Sequence, residues 1–272
     1  MKKTLAIHDL SGFGRCSISV VLPILSALKT QCCPLTTAVL STHTGGFDSF
    51  TFCDLTHTMQ PALEHYGQLG LNFDAVYSGF LGSAGQIELV ERALELKSAD
   101  GIVLVDPVMG DHGTTYKTYT RQMCEKMAGL VGRADIITPN LTEAAILLGL
   151  DYTDVSADER TVKDWLVRLA DLGPEYTVIT GVAFAPGTLG AAYYCKTTGN
   201  FEYAYTPKVL TSFPGTGDIF ASVLLGKLLN NFTMAESVKA ACEFVYTCAK
   251  HTEALGTPAR DGVCFENFLC NL

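Results

Sequence analysis

The stretch Pro214-Gly215-Thr216-Gly217-Asp218-Ile219-Phe220-Ala221-Ser222-Val223-Leu224-Leu225 joins a glycine-rich turn to an apolar run with helical spacing. It predicts a helix over 218–229 with glycines at its start. The first backbone N–H groups of a helix have no partner within it, and the helix dipole adds positive potential there. A phosphoryl group is therefore favoured at this turn, and glycines let it approach closely. By itself, a Gly-x-Gly-Asp turn is more often an ordinary capped helix start than a phosphate site.

Short β-rich runs alternate with longer helical stretches elsewhere, which is typical of a mainly parallel sheet covered by helices on both faces. Alternating aromatic and polar residues in 189–205, around Thr198-Gly199-Asn200, predict an antiparallel hairpin at one edge of the sheet. The segment after Gly256 is ambiguous. The other predicted strands are 4–7, 35–40, 75–77, 102–105, 134–137 and 177–179, and the other helices are 17–28, 52–67, 84–97, 141–148, 162–172 and 234–250.

Composition narrows the class of protein. A chain of 272 residues with 48% hydrophobic content can form a single domain over 1–272. The ten cysteines are scattered without Cys-x-x-Cys spacing, so we expect reduced thiols and no structural metal cluster. The net charge of −9 with dispersed Lys and Arg argues against nucleic acid as a partner. Lacking a signal-peptide core or a long apolar run, the chain is expected to be cytoplasmic, without a membrane partner.

Ligands of open α/β sheets bind outside the carboxyl ends of the strands, so the loops there are the place to seek chemistry. Phosphoryl transfer needs an anion cradle, a metal ion and a carboxylate that orients the attacking hydroxyl and accepts its proton. Asp218 is the candidate carboxylate. The helix dipole should keep it ionised and weakly basic, so we expect it mainly to orient the hydroxyl and to take the proton late. The chain has neither a Gly-x-x-x-x-Gly-Lys-Ser/Thr loop nor the protein-kinase motifs.

Five motifs in order along the chain carry a family resemblance. They are Ser41-Thr42-His43-Thr44-Gly45-Gly46, Ser78-Gly79-Phe80-Leu81-Gly82-Ser83, Val105-Asp106-Pro107-Val108-Met109-Gly110-Asp111, Ala134-Asp135-Ile136-Ile137-Thr138-Pro139-Asn140-Leu141-Thr142-Glu143 and Gly215-Thr216-Gly217-Asp218. With them the chain resembles the ribokinase-like superfamily, and within it the vitamin B6 (pyridoxal) kinases. The resemblance implies a three-layer α/β/α fold with a mainly parallel central sheet and an antiparallel edge. It also implies ATP as the phosphoryl donor and a homodimer.

The resemblance also implies roles for individual residues. Asp218 would be the catalytic base, and the anion hole would consist of Gly215, Thr216 and Gly217. The residues implied for ATP binding are Asp106, Asn140, Glu143 and Thr180, and those implied for Mg²⁺ are Asp111 and Glu143. Carboxylate oxygens are ligands that Mg²⁺ prefers, which agrees with this grouping. Some relatives also use a monovalent cation such as K⁺, for which Thr138 and Thr180 are placed.

Three residues are candidates for binding the acceptor substrate. Thr44 matches a substrate contact and Tyr116 matches the tyrosine of a flap loop, although both could be ordinary loop residues. Asp9 departs from the pattern, because many B6 kinases have Ser there, and Asp9-Leu10-Ser11-Gly12 looks more like the opening of hydroxymethylpyrimidine kinases. A carboxylate could bind an aminopyrimidine or a protonated pyridine, or it could cap the next helix. The remaining motifs favour a pyridoxal-type substrate.

Three alternatives stay open. The first is a hydroxymethylpyrimidine kinase of thiamine synthesis. The second is a sugar kinase, although the first half of the chain has no insertion long enough for the lid that such enzymes carry. The third is a catalytically inactive nucleotide or vitamin sensor, since a fold can persist without its chemistry. The presence of both Asp218 and Glu143 argues against the sensor.

Overall fold

A large, mostly parallel β-sheet organises the molecule. The computed structural model describes residues 1–116, 119–151 and 157–272. The main sheet has the order β11-β10-β9-β8-β5-β4-β1-β2-β3, and β6 and β7 form a separate small hairpin. The strands are β1 (Lys3–Phe13), β2 (Gln31–Thr42), β3 (Phe52–Asp54), β4 (Phe73–Ser78), β5 (Lys97–Val105), β6 (Gly110–Asp111), β7 (Thr114–Thr115), β8 (Ile136–Ile137), β9 (Tyr176–Val182), β10 (Thr188–Cys195) and β11 (Phe201–Pro207).

Helices cover both faces of this sheet. One apolar core lies between the sheet and α2 to α6, and a second lies between the sheet and α1, α7 and α8. The helices are α1 (Ile18–Ala27), α2 (Thr56–Gln68), α3 (Ala84–Ala93), α4 (Arg121–Val131), α5 (Leu141–Leu147), α6 (Glu159–Asp171), α7 (Thr216–Leu229) and α8 (Met234–Leu255). This arrangement confirms the predicted three-layer α/β/α fold.

Both edges of the sheet are antiparallel. The strands from β2 to β9 in the sheet order pair in parallel, as a mainly parallel sheet requires. The predicted hairpin is confirmed by β10 and β11. At the opposite edge, β3 pairs antiparallel with β2. The helix predicted over 52–67 is therefore wrong in its first residues. Phe52–Asp54 form a strand because they pair with β2 at the edge of the sheet, and the helix begins at Thr56.

The prediction omitted two elements. One is α4, although Thr120 caps it and its buried Met123, Met127 and Leu130 recur at helical spacing. The other is the hairpin of β6 and β7, in which Gly110 packs so closely that a Cβ would lie 2.3 Å from the carbonyl oxygen of Thr114. Two-residue strands are too short to leave a periodic pattern in a sequence.

Strand β1 contains Asp9, one of the predicted substrate-binding residues. Residues 4–9 of this central strand are all buried. Beyond the predicted strand 4–7, β1 continues as far as Phe13, paired with β2. The register shifts between His8 and Leu10, which are partners of Thr36 and Val39. Asp9 therefore lies at an irregularity of the ladder, where side chains are often redirected towards a site.

The segment after α8, which the sequence left ambiguous, folds back over the sheet. It forms short 3-10 turns at Ala259–Asp261 and Glu266–Asn271, with Val263 and Phe265 buried in the second core. All ten cysteines belong to the described part of the chain and are free thiols. None of the helices in that part combines the length and the apolar character needed to cross a membrane.

Candidate active site

The start of α7 forms a backbone cradle. Gly215 caps the helix with a φ of 80°, a conformation that L side chains rarely adopt. A Cβ on Gly215 would lie 2.0 Å from the carbonyl oxygen of Arg15, so the position requires glycine. Gly217 is exposed on the first turn, and the Thr216 hydroxyl donates to the carbonyl of Phe213 at 3.3 Å. The cradle combines unpaired helix N–H groups with open access for an anion.

Asp218 lies in the first turn of α7. Its Oδ2 accepts a hydrogen bond from the backbone N–H of Ser17 at 2.8 Å, and its side chain is 13% exposed. Burial raises the pKa of Asp218 to about 7, the Ser17 N–H opposes the rise, and the charge of Asp9 adds to it. Burial therefore opposes the ionisation that the helix dipole favours, and the prediction of a weakly basic carboxylate stays a prediction. A carboxylate with this pKa can accept a proton near neutral pH.

Ser17 was not among the predicted site residues. Its φ of 53° is unusual for a non-glycine residue, and this conformation presents its N–H to Asp218. Such backbone strain costs on the order of 1–3 kcal/mol and concentrates at functional sites. A positive φ at a serine leaves no mark in the sequence that could have revealed it.

His8 lies beside the catalytic candidate and was also missed. It is fully buried on β1, with its Nδ1 3.9 Å from Asp218 Oδ1. Neither ring nitrogen has a hydrogen-bond partner among the described residues, and burial lowers the pKa of His8 to about 3. Its ring packs edge-on against Tyr77 at 4.4 Å, and Gly79 leaves room for it, since a Cβ there would lie 2.4 Å from the imidazole. His8 is therefore a neutral, buried neighbour of Asp218.

Asp106 follows β5 and faces the cradle. Its side chain is buried, and a Cβ on Gly217 would lie 3.7 Å from Asp106 Oδ2. Burial raises the pKa of Asp106 well above its ordinary value, and the negative charges of Glu143 and Asp218 add to this effect. Thr138 follows β8, and its buried Oγ1 has no hydrogen-bond partner in the described part of the chain. The structure thus brings the predicted acid Asp106 close to Gly217, the residue that precedes Asp218.

Asn140 and Glu143 form the capping box of α5. Asn140 Oδ1 accepts from the Glu143 N–H, and Glu143 Oε2 accepts from the Asn140 N–H, both at 2.9 Å. Glu143 Oε1 also accepts from the backbone of Met109 at 3.1 Å, and Asn140 Nδ2 donates to the carbonyl of Gly110 at 2.9 Å. Burial raises the pKa of Glu143, while these backbone donors oppose the rise. The pair therefore ties α5 to the loop after β5.

Three further predicted residues surround this loop. Asp111 is exposed on the small hairpin, close enough for its charge to raise the pKa of Glu143. Burial raises the pKa of Tyr116, and the charges of Glu143, Asp111, Asp106 and Asp218 raise it further. Thr180 lies near the carboxyl end of β9, the strand next to β8. Its N–H donates to the carbonyl of Pro139 at 2.9 Å.

Asp9 lies within β1, at its register irregularity, and Thr44 lies just after the end of β2. Asp9 is 4% exposed, its Oδ2 accepts from the Ser11 hydroxyl at 3.0 Å, and burial raises its pKa. Its charge contributes to the raised pKa of Asp218. Thr44 is exposed just after β2 and follows His43, a buried residue that was not among the predicted site residues.

Comparisons with known proteins agree on one kind of enzyme. The phosphomethylpyrimidine kinase family model matches residues 22–261. A pyridoxine kinase from Bacillus subtilis is 29% identical over 196 residues, which are 67% of this chain and 66% of that protein, so the match spans just under two thirds of the relative. A Bacteroides thetaiotaomicron protein described as a phosphomethylpyrimidine kinase, solved with pyridoxal, is 37% identical with a TM-score of 0.94, covering 99% of this chain and 95% of that one. A pyridoxal kinase from Lactobacillus plantarum is 30% identical with a TM-score of 0.91 and the same coverage.

Proposed function

Since this chain belongs to the phosphomethylpyrimidine kinase family, we propose that it is an ATP-dependent pyridoxal kinase. It transfers the γ-phosphoryl group of ATP to the 5′-hydroxymethyl oxygen of pyridoxal, pyridoxamine or pyridoxine. The observation that carries this proposal is Asp218, a carboxylate with a pKa raised to about 7 beside a glycine cradle for phosphate. The names of the relatives from Bacillus and Lactobacillus favour vitamin B6 as the acceptor.

The proposed chemistry divides between the cradle and the base. Gly215, Thr216 and Gly217 present backbone N–H groups to the charge that develops on the transferred phosphoryl group. Asp218 accepts a hydrogen bond from the acceptor hydroxyl and takes its proton as the oxygen bonds to phosphorus. The Ser17 N–H holds Asp218 Oδ2, which leaves Oδ1 for the substrate. A pKa near 7 leaves a substantial fraction of Asp218 ionised at neutral pH and makes it a stronger proton acceptor than an ordinary carboxylate.

The acceptor ring is assigned to the loops of β1 and β2. Asp9 is buried and already accepts one hydrogen bond from Ser11, and its remaining lone pairs can accept from a ring nitrogen or an amino group. Thr44 is exposed on the adjacent loop, and Tyr116 covers the site from the side of the carboxylate cluster. Together they give a flat heteroaromatic ring polar contacts at its edge.

The nucleotide phosphates are assigned to the edge formed by Asp106, Asn140, Glu143 and Thr180. Mg²⁺ fits this edge because buried Glu143 and exposed Asp111 supply the oxygen ligands it prefers. When bound, it would neutralise phosphate charge. In the described part of the chain no three His, Cys, Asp or Glu side chains converge on one point, and Mg²⁺ commonly draws its remaining ligands from phosphates and water. A monovalent cation such as K⁺ would use the oxygens of Thr138 and Thr180, of which the Thr138 hydroxyl is buried and unpartnered within the described residues.

The cellular setting belongs to the same proposal. We place the enzyme in the cytoplasm, where ATP is available, as a single-domain subunit of a homodimer. A sizing measurement that gave a monomer at working concentration would contradict the dimer.

The deciding experiment follows ADP formation from Mg-ATP with four acceptors in parallel: pyridoxal, pyridoxamine, pyridoxine and hydroxymethylpyrimidine. We expect turnover on the three pyridines. Turnover on the pyrimidine alone would instead support a hydroxymethylpyrimidine kinase. Saturable ATP binding with no turnover on any acceptor would contradict the kinase proposal and leave the sensor.

A further inference from the structure

His43 connects the acceptor loop to the C-terminal segment. Its imidazole is 8% exposed, and its Nδ1 accepts the N–H of Gly45 at 3.2 Å. Because that nitrogen acts as an acceptor, the proton of the neutral ring is on Nε2, which donates to the carbonyl oxygen of Arg260 at 2.6 Å. Both ring nitrogens therefore form hydrogen bonds. The Nε2 bond joins residues that are 217 positions apart in the chain.

Residues 258–266, here termed the clasp, contact this loop at two further points. The guanidinium of Arg260 lies over the ring of Phe47 at 5.3 Å, and Phe47 packs edge-on against His43 at 5.0 Å. A Cβ on Gly46 would lie 3.0 Å from the Arg260 Cβ. The loop on both sides of Thr44 is thus held against the clasp.

The clasp also contacts the loop that supports the phosphate cradle. The Arg15 N–H donates to the carbonyl of Asp261 at 3.2 Å, and the Arg15 guanidinium pairs with Glu266 at 2.5 Å. A Cβ on Gly262 would lie 2.8 Å from the Arg15 Cβ and carbonyl oxygen. The Arg15 carbonyl is the group that Gly215 approaches. One segment therefore sets the position of both the acceptor loop and the cradle.

We propose that His43 is a positioning residue for the acceptor, acting through its hydrogen bond to the Arg260 carbonyl. This inference rests on the proposed function and deepens it, because it assigns the C-terminal clasp to the acceptor site. Loss of the hydrogen bond frees the loop that carries Thr44, so acceptor binding weakens. The residues assigned to the ATP phosphates are carried by β5, β8, β9 and the start of α5, and β4 and β1 separate these strands from β2 in the sheet, so we expect ATP binding to be unaffected.

Two substitutions separate the two nitrogens of His43. In His43→Gln the side-chain amide nitrogen can reach the Arg260 carbonyl and keep the donor, whereas in His43→Asn the shorter side chain can accept only from Gly45. We expect His43→Asn to raise the KM for pyridoxal about tenfold, the scale of one lost hydrogen bond with a carbonyl left unpaired. His43→Gln should stay within about threefold of wild type. The KM for ATP should not change in either variant.

Steady-state kinetics at saturating co-substrate, with pyridoxal binding measured by calorimetry, provides the test. The matched control is His57→Asn, an exposed position on α2 that should behave like wild type. Equal pyridoxal KM values for Asn, Gln and wild type, or a parallel rise in the KM for ATP, would overturn the role of His43. A wild-type chain that neither binds nor phosphorylates pyridoxal would overturn the proposed function, and this inference with it. If His43→Asn does not fold, Phe47→Leu, which removes the ring beneath Arg260, should give the same selective rise.

Discussion

Asp218 combines two opposing electrostatic influences on one carboxyl group. The helix N-terminus and the Ser17 N–H favour the charged form, whereas burial and the charge of Asp9 favour the neutral form. Burial is the larger effect. The higher pKa means that a smaller fraction of Asp218 is ionised at neutral pH. It also means that the ionised form binds a proton more strongly.

The first prediction concerns how the rate of phosphoryl transfer depends on pH and on Asp218. Wild-type kcat/KM should fall roughly tenfold for each pH unit below about 7, because only ionised Asp218 in the free enzyme can accept the proton. Asp218→Asn should lower kcat by roughly 10²–10⁴-fold, the usual share of general base catalysis. Its residual rate should not follow this acid limb. Rate profiles of both proteins between pH 5.5 and 8.5 check this, and near-normal turnover of the variant would mean that another group is the base.

The raised pKa of Asp218 also predicts that Asp218→Asn is more stable than wild type at high pH. A carboxyl group whose pKa is higher in the folded chain stabilises the fold below its unfolded value, and that contribution is lost as the pH rises through about 7. Asp218→Asn removes this loss, so at pH 8 its free energy of unfolding should exceed that of wild type by about 2–4 kcal/mol, at about 1.4 kcal/mol per pKa unit. Urea unfolding at pH 8 and pH 4 is the measurement. The gain should nearly vanish at pH 4, and a gain that is equal at both pH values would point to packing instead.

Asp9 predicts a change in specificity. Asp9→Ser removes the buried carboxylate beside the Ser11 hydroxyl and should shift the ratio of kcat/KM between the pyridines and hydroxymethylpyrimidine by tenfold or more. The reason is that a site built to pair a polar group discriminates strongly when that pairing is lost. Competition assays with mixed acceptors measure the ratio. An unchanged ratio would reduce Asp9 to a structural residue of the β1 loop.

Among the elements, α7 shows how a helix start becomes a site. Its cap, Gly215, faces the Arg15 carbonyl, whereas Gly199 in the β10–β11 turn has a similar φ of 71° and open space around its Cα. Gly215→Ala should lower kcat/KM by roughly 100-fold or more, because the cradle must move. Gly199→Ala should cost only about 1–2 kcal/mol of stability and leave activity unchanged. Kinetics and thermal unfolding of the pair test this, and equal activities would argue against a rigid cradle.

Two capping boxes in the described part of the chain show how the surroundings of a residue change its properties. Thr233 and Glu236 cap α8 with the same reciprocal hydrogen bonds as Asn140 and Glu143. Glu236 is exposed and its hydrogen bonds lower its pKa, whereas burial raises the pKa of Glu143. The sequence predicts both caps equally well. It cannot predict which of the two glutamates is buried beside other carboxylates, because that depends on residues far away in the chain.

Element prediction succeeded where a pattern was local and long. The helices α1, α7 and α8 and the hairpin of β10 and β11 follow from periodicity and turn chemistry. It failed for Phe52–Asp54, where pairing with β2 decides the conformation, and for α4, where methionines supply the apolar stripe. The unusual backbone of Ser17 and the shifted register at Asp9 depend on tertiary contacts.

At the scale of the whole molecule, the alternation of strands and helices and the family resemblance predicted the three layers, which the structure confirms. Asp218, Asp106, Glu143 and Tyr116 come together at the carboxyl ends of the strands, as a parallel sheet requires. The roles of these residues stay predictions. His8, Ser17 and His43 were missed because nothing in their local sequence shows that they become buried against the site.

Arg15 is enclosed between two glycines that belong to distant parts of the chain, Gly215 and Gly262. Contacts across such a separation form late in folding, since the closure of a long loop must come first. The catalytic centre should therefore mature after most of the protein is already compact. Trp165, the single tryptophan, is buried in α6 on the other face of the sheet and reports that earlier stage. During refolding from urea, Trp165 fluorescence should recover before kinase activity, and simultaneous recovery would show that the two ends of the chain meet early.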